Sequence, residues 1–245
     1  MERKINPKFN LFKEYRAVNI INPFVFIKKT PAILTDGNTA CWWDFTDPTK
    51  LVTVDGKITS VMDISGNNRF AKNDNGSGPA TTIDGALFIN EELWTDVFPI
   101  STPLTYYIVI KQLSWKYITY IIDSIDGYPG LAASVVQYGT SPSIILYAHP
   151  NMGGENVNLP VGNWGILIAS FTPGTNKCIL KVNDISGTPG SVGITYPNGF
   201  RIGNSHVDST RHSNIVLKEI IIRNVTDTTQ NESTIYNYLK TKYNL

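Results

Sequence analysis

Residues 58–71 read Ile-Thr-Ser-Val-Met-Asp-Ile-Ser-Gly-Asn-Asn-Arg-Phe-Ala. The first half has the β-branched character of a strand. The run Asp63-Ile64-Ser65-Gly66-Asn67 then reads as a turn, because short polar side chains there bond nearby backbone groups. A strand that ends in a turn rich in Asp, Ser, Gly and Asn is the unit from which the rest of the chain is built.

The unit recurs on both sides. Strands are expected at 40–44, 58–63, 86–90, 105–111, 117–123, 131–138, 143–149, 165–171, 177–183, 199–202 and 215–223. Between them sit turn dipeptides such as Asp55-Gly56, Asp84-Gly85, Pro173-Gly174 and Asn198-Gly199. Within 105–111, Tyr106, Ile108 and Ile110 share one face, opposite Tyr107, Val109 and Lys111. Residues 215–223 are apolar on both faces apart from Lys218 and Glu219, so this strand should lie beneath a covering element. The expected cover is a C-terminal helix. Thr229 and Glu232 have capping-box spacing, and Ile235, Tyr238, Leu239 and Lys242 form one stripe. Trp42 and Trp43 must face opposite sides of a strand, one of them into the core, with Trp164 also in the core.

Composition sets the bounds. A chain of 245 residues that is 42% hydrophobic and only 17% charged can bury one large β core without staples. The two cysteines, Cys41 and Cys178, read as small buried hydrophobes. Residues 1–37 show no period of 2 or 3.6 and are broken by Pro7, Pro23 and Pro31. Residues 1–30 carry seven basic residues against two acidic ones, although the whole chain is at +1. This is expected to be an irregular arm, residues 1–37, that docks on a partner through Arg3, Lys4, Ile20, Ile21, Phe24 and Phe26, ahead of a domain at 38–245. A near-neutral body does not suit nucleic acid. The apolar run Val18 to Ile27 is too short and too broken for membrane insertion, and no signal peptide is legible.

The 58–71 stretch, with Asp63, Ser65, Gly66, Asn67 and Ala71, resembles the signature of laminin G-like jelly-roll domains of the concanavalin A-like superfamily found in phage and bacterial surface proteins. Val61 stands where that family often has Trp. Trp43-Asp44 with Asp47, Leu51 and Gly56 is similar to the family's opening strand, and residues 164–171 with 179–183 to its central hairpin, Asn183-Asp184 replacing the usual Asn-Gly. Arg201-Ile202-Gly203, residues 219–222 and Tyr238-Leu239 with Lys242-Tyr243 continue the series in order. The resemblance covers about 40–245. It implies an all-β, two-sheet antiparallel jelly-roll sandwich with a C-terminal helix.

The related glucanases place Glu-x-Asp-x-x-Glu on one strand, where alternation sends the acids to one face. Here the nearest cluster, Glu91-Glu92-Leu93-Trp94-Thr95-Asp96, has the wrong spacing, so no catalytic residues are expected. Asp63 supplies oxygens of the kind calcium takes, but without a denser acid cluster an Asx turn is favoured and no cofactor is expected. Glu219, reckoned on one face with Ile215, Leu217 and Ile221, is expected to be a partnered structural acid. The candidate ligand site is the loop at 203–212, with His206, Asp208, Arg211 and His212, helped by Trp94 or Trp115. Planar polar groups beside an aromatic ring suit sugar hydroxyls. The histidines lack a third ligand for zinc.

These readings lead to a non-enzymatic structural or binding protein of a phage virion. It would be a lectin-like domain facing glycans, an arm docked on other virion proteins, and an oligomer or part of a larger assembly. A glycan-active enzyme or accessory module, and a bacterial adhesin module, are the alternatives.

Overall fold

The computed structural model describes residues 29–125, 133–148 and 151–245, with backbone alone over 151–157. The expected anchoring residues Arg3, Lys4, Ile20, Ile21, Phe24 and Phe26 lie outside the described residues. Among the described residues the chain is all-β with one α-helix. The first strands are β1 (Thr39–Asp44), β2 (Leu51–Val54), β3 (Lys57–Val61), β4 (Ala71–Lys72), β5 (Ala80–Thr82), β6 (Gly85–Phe88) and β7 (Leu93–Trp94). The middle of the chain forms β8 (Leu104–Gln112), β9 (Thr119–Ser124), β10 (Ser134–Gln137), β11 (Ser143–Ala148) and β12 (Asn151–Asn158). Then come β13 (Trp164–Phe171), β14 (Gly174–Val182), β15 (Ile185–Ser186), β16 (Gly190–Val192), β17 (Phe200–Ile202), β18 (Ile215–Arg223) and α1 (Thr229–Tyr243).

All these strands join one antiparallel sheet that curls until it nearly closes as a barrel. One run pairs β1, β18, β8, β13 and β14 in that order. A second pairs β4, β7, β17, β9, β10, β11 and β12. The runs are linked through β3, β5 and β6. Between them lies the main core, where Tyr106, Ile108, Phe171, Leu180 and Ile220 meet Ile122, Val135, Leu146, Phe200 and Ile202. Cys41 and Cys178 are both buried and free.

The outer side of the first run carries a second apolar cluster: Trp42, Tyr107, Val109, Ile166, Ile168 and Ile221. Helix α1 lays Ile235 and Leu239 on it. The helix cap is Thr228, whose side chain accepts from the Asn231 amide; this replaces the capping box expected from Thr229 and Glu232, and Glu232 pairs with Lys181. Trp42 and Trp43 are both buried, Trp43 in the main core and Trp42 under the helix. Trp164 is only half-buried: its ring lies under the ammonium groups of Lys111 and Lys218, at 4.8 and 4.3 Å.

Glu219 is fully buried on this helix-facing side. A bulge between Leu217 and Glu219 shifts the register with β8 and changes the phase of β18. Ile215 and Leu217 therefore face the main core while Glu219 and Ile221 face α1, which corrects the single face expected from strict alternation. Its carboxylate accepts from Trp42 Nε1 at 2.6 Å, Lys242 Nζ at 2.7 Å and Tyr243 Oη at 2.5 Å. Asp44, opposite it on β1, accepts from the same Lys242 at 2.6 Å. Burial pushes the Glu219 carboxyl up, and the Lys242 charge pulls it back. Burial disfavours the Lys242 ammonium, but Glu219 and Asp44 more than offset this and hold it above its ordinary value.

A second buried charge ties in the segment before β1. The Arg223 side chain is 1% exposed and donates to Asp227, Asp36, the Ile33 carbonyl and Thr39. Leu34 is buried beside α1. Residues 32–36, reckoned with the arm from sequence, thus pack on the body. Replacing Lys242 by Ala leaves two buried acids without their cation, which costs about 3–5 kcal/mol. A urea melt should show that loss, with the Trp42 environment altered in near-ultraviolet dichroism. An unchanged midpoint would refute this reading of the network.

Candidate functional site

The outer side of the second run is built differently. Val136 of β10 sits between Tyr120 of β9 and Ile145 of β11, and these three form a third apolar cluster. Ile118, Tyr138 and Tyr147 pack against it. The Tyr117 ring, about half exposed, lies on Tyr138 with centroids 4.9 Å apart and planes 37° apart. Helix α1 occupies the opposite outer face. The tyrosine face is backed from inside by Gln137, which donates to the Gln112 side chain and the Ser114 carbonyl and accepts from Thr119.

The loop after β17 forms the rim of this face. It opens at Gly203, with φ +85°, where a Cβ would meet Phe88 Cδ1 at 2.6 Å and the Glu91 carbonyl at 2.8 Å. Only glycine fits both the dihedral and the space. Asn204 donates to Glu92 at 2.6 Å, and Arg201 donates to the Ser205 carbonyl at 3.1 Å. The buried Asp123 carboxylate accepts from Ser134 Oγ at 2.5 Å, the His206 amide at 2.7 Å and Ser205 Oγ at 3.3 Å. Burial raises its pKa, against the pull of those donors. At the tip, Asp208 accepts from the Thr210 hydroxyl at 2.6 Å and its amide at 3.0 Å, and from Arg211 Nε at 2.8 Å. The Thr210 bonds and then the guanidinium bring the Asp208 carboxyl down to about 2. The Tyr120 amide donates to the Arg211 carbonyl, and Ser213 Oγ donates to the Tyr120 carbonyl, stitching the loop to β9.

His206, Asp208, Arg211 and His212 are therefore gathered on one loop beside Tyr120. His212 is bridged to Tyr120, and its Nε2 lies 3.4 Å from Asn204 Nδ2. Its Nδ1 is buried without a partner among the described residues. Trp115 donates from Nε1 to the Ser143 carbonyl at 3.2 Å, at the start of β11 and near the Tyr117 end of the face. Trp94 is elsewhere. It pairs across strands with Arg201 and Lys72, and β17 separates its strand from β9.

The other acids singled out from sequence are engaged. Glu91 pairs with Lys57 at 2.7 Å, and Glu92 lies 3.6 Å from Arg201 Nε. The Asp63 carboxylate accepts from the Trp42, Ser65 and Arg69 amides and from Ser65 Oγ, which fastens the turn to β1. A cleft of about 490 Å³ runs between β13, β14 and the first turn of α1. Of its charged lining, Lys181 pairs with Glu232 at 2.5 Å and Asp227 with the buried Arg223 at 2.8 Å, while Lys177 is exposed. Sequence reasoning missed Tyr117, Tyr120, Tyr138 and Tyr147. The signal was present: all four stand in expected strands.

No family model matches the sequence, and no curated protein matches it. Solved structures do share the fold. Trypanosoma rangeli sialidase in complex with sialic acid superposes with a TM-score of 0.61 at 12% identity, over 87% of this chain and 35% of that one. Domain 4 of AbnA, a GH43 extracellular arabinanase from Geobacillus stearothermophilus, in complex with arabinotriose, gives 0.60 at 17% identity, over 82% of this chain and 98% of that domain. The binding domain of Paraclostridial Mosquitocidal Protein 1 gives 0.54 at 12% identity, over 84% and 53%. The chain spans about a third of the sialidase's length. These likenesses establish a shared fold.

Replacing Asp123 by Ala strands its three donors, each at a desolvation cost of about 1–3 kcal/mol. Hydrogen exchange should then speed up at the Ser205 and His206 amides while α1 stays protected. Unchanged exchange in the loop would show that Asp123 does not hold it.

Proposed function

We propose that the chain is a non-enzymatic glycan-binding module with a concanavalin A-like jelly-roll fold, its two runs of strands forming the two layers. The observation that carries the reading is the outer face of β9, β10 and β11, where tyrosine rings stand beside a pre-ordered polar loop. Sugar rings have an apolar face that stacks on aromatic rings and a hydroxyl edge that bonds planar polar groups. Sugars bound to two of the structural neighbours support the same direction. The absence of catalysis is argued from where the acids lie. Asp44 and Glu219, a closely spaced pair, are capped by Lys242 and Tyr243 beneath α1, where a substrate has no access.

The setting on a phage virion, and anchoring by the N-terminal residues, rest on the resemblance of the sequence and on the basic charge of residues 1–30. Because Leu34 and Asp36 belong to the body and the Leu34 amide donates to the Pro31 carbonyl, the arm proper is taken as the basic stretch 1–30. Removing it should leave the melting temperature of the β domain unchanged and abolish its incorporation into particles. Normal incorporation would refute the anchoring role.

Single replacements Tyr138→Ala and Tyr147→Ala should each weaken glycan binding about 5- to 10-fold, as expected for one lost stacking contact. The double change Asp208→Ala, Arg211→Ala should abolish it on a glycan array while the fold survives. Binding untouched by all of these, or polysaccharide hydrolysis above background, would overturn the proposal.

A further inference from the structure

The register of the tyrosine face carries information about ligand size. Tyr147 lies opposite Ser134, and Tyr120 lies opposite Val136. Tyr138 follows two residues further along the same strand direction, its amide still donating to the Ser143 carbonyl of the β10–β11 hairpin. Residues 134, 136 and 138 are alternate positions on one face. Tyr120, on the far flank of β10, is 8% exposed and belongs to the apolar cluster, so the accessible rings are Tyr147 beside position 134 and Tyr138, two steps of ~7 Å apart along the strand direction. From Tyr147 to Tyr138 the row runs ~14 Å, and the Tyr117 ring extends it beyond Tyr138. A site for one terminal sugar needs one ring and a tight polar pocket. A row of rings spaced along a strand serves a chain.

On the rim, Arg211 pairs through Nε with Asp208 at 2.8 Å, and the exposed Lys116 ammonium lies 3.5 Å from the Thr210 carbonyl with no ion-pair partner among the described residues.

We infer that the tyrosine face takes an internal stretch of an extended saccharide chain, roughly three consecutive sugars laid along β10 between Tyr147 and the Tyr138–Tyr117 pair. This rests on the glycan-binding reading above and adds the ligand's length and direction. The loop at 203–212 then contacts the hydroxyl edge of the chain near its middle, beside Tyr120.

The test is isothermal titration of the full chain with graded sets of arabino-, xylo-, cello- and malto-oligosaccharides from one to five sugars. The expected result is affinity for at least one set that rises about tenfold per added sugar up to three and then levels off. In Tyr147→Ala, confirmed as folded by its melt, the rise should stop one sugar earlier. Tyr147→Phe, which keeps the ring, should restore it. A monosaccharide that binds as tightly as its trisaccharide would overturn the inference and leave glycan binding standing. No binding by any of these sugars would overturn the inference together with the reading beneath it.

Discussion

Glu219 is a carboxylate with no exposed surface, and three donors from the two ends of the described chain converge on it. Trp42 comes from the first strand, and Lys242 and Tyr243 from the last turn of the helix. An acid in that position is tolerable only when it is fully hydrogen-bonded and its charge is matched. The need for partners fixes where α1 ends and which face it covers. The bulge in β18 is what turns Glu219 toward the helix and away from the main core. Arg223, four residues on, repeats the device with the opposite sign, gathering Asp36 and Asp227 and binding the segment before β1 to the same face.

The two outer faces consequently differ in kind. The one under α1 is sealed by the helix and by paired charges. The other keeps a small apolar cluster rimmed with tyrosines and ends in a loop set by Asp123 and Gly203. Rigidity of the rim follows from elements outside it: Glu92 just before β7, and Asp123 and Tyr120 of β9, each hold one part of the loop. Under the proposed reading, groups positioned in this way would lose little freedom when a sugar binds.

Much of this was legible in the sequence because alternation is a strong signal. The two faces of β8 and the partnered state of Glu219 follow from periodicity and burial. The helix over β18 does too. What periodicity could not show was a break in itself. The bulge at Lys218 reverses the phase of half a strand and leaves no mark in composition. Strand β12 went unseen because Gly153, Gly154, Glu155 and Asn156 lack strand character, and the register with β11 shifts between the Ile144–Val157 and Leu146–Gly153 pairs. The polar loop was recognised from its density of His, Asp and Arg. Its aromatic partners were sought among the tryptophans, whereas register brings tyrosines to it instead. Trp94 is held away from β9 by an intervening strand, a separation that only the pairing order reveals.

The claim that one outer face is a ligand surface and the other is sealed is tested most directly by amide chemical-shift mapping. The isotope-labelled chain would be titrated with the tightest-binding oligosaccharide from a glycan array. The account predicts shifts confined to residues 117–122, 134–138, 143–148 and 204–212, with residues 229–243 silent. Shifts centred on α1 and the cleft beside it, with the tyrosine face silent, would contradict it.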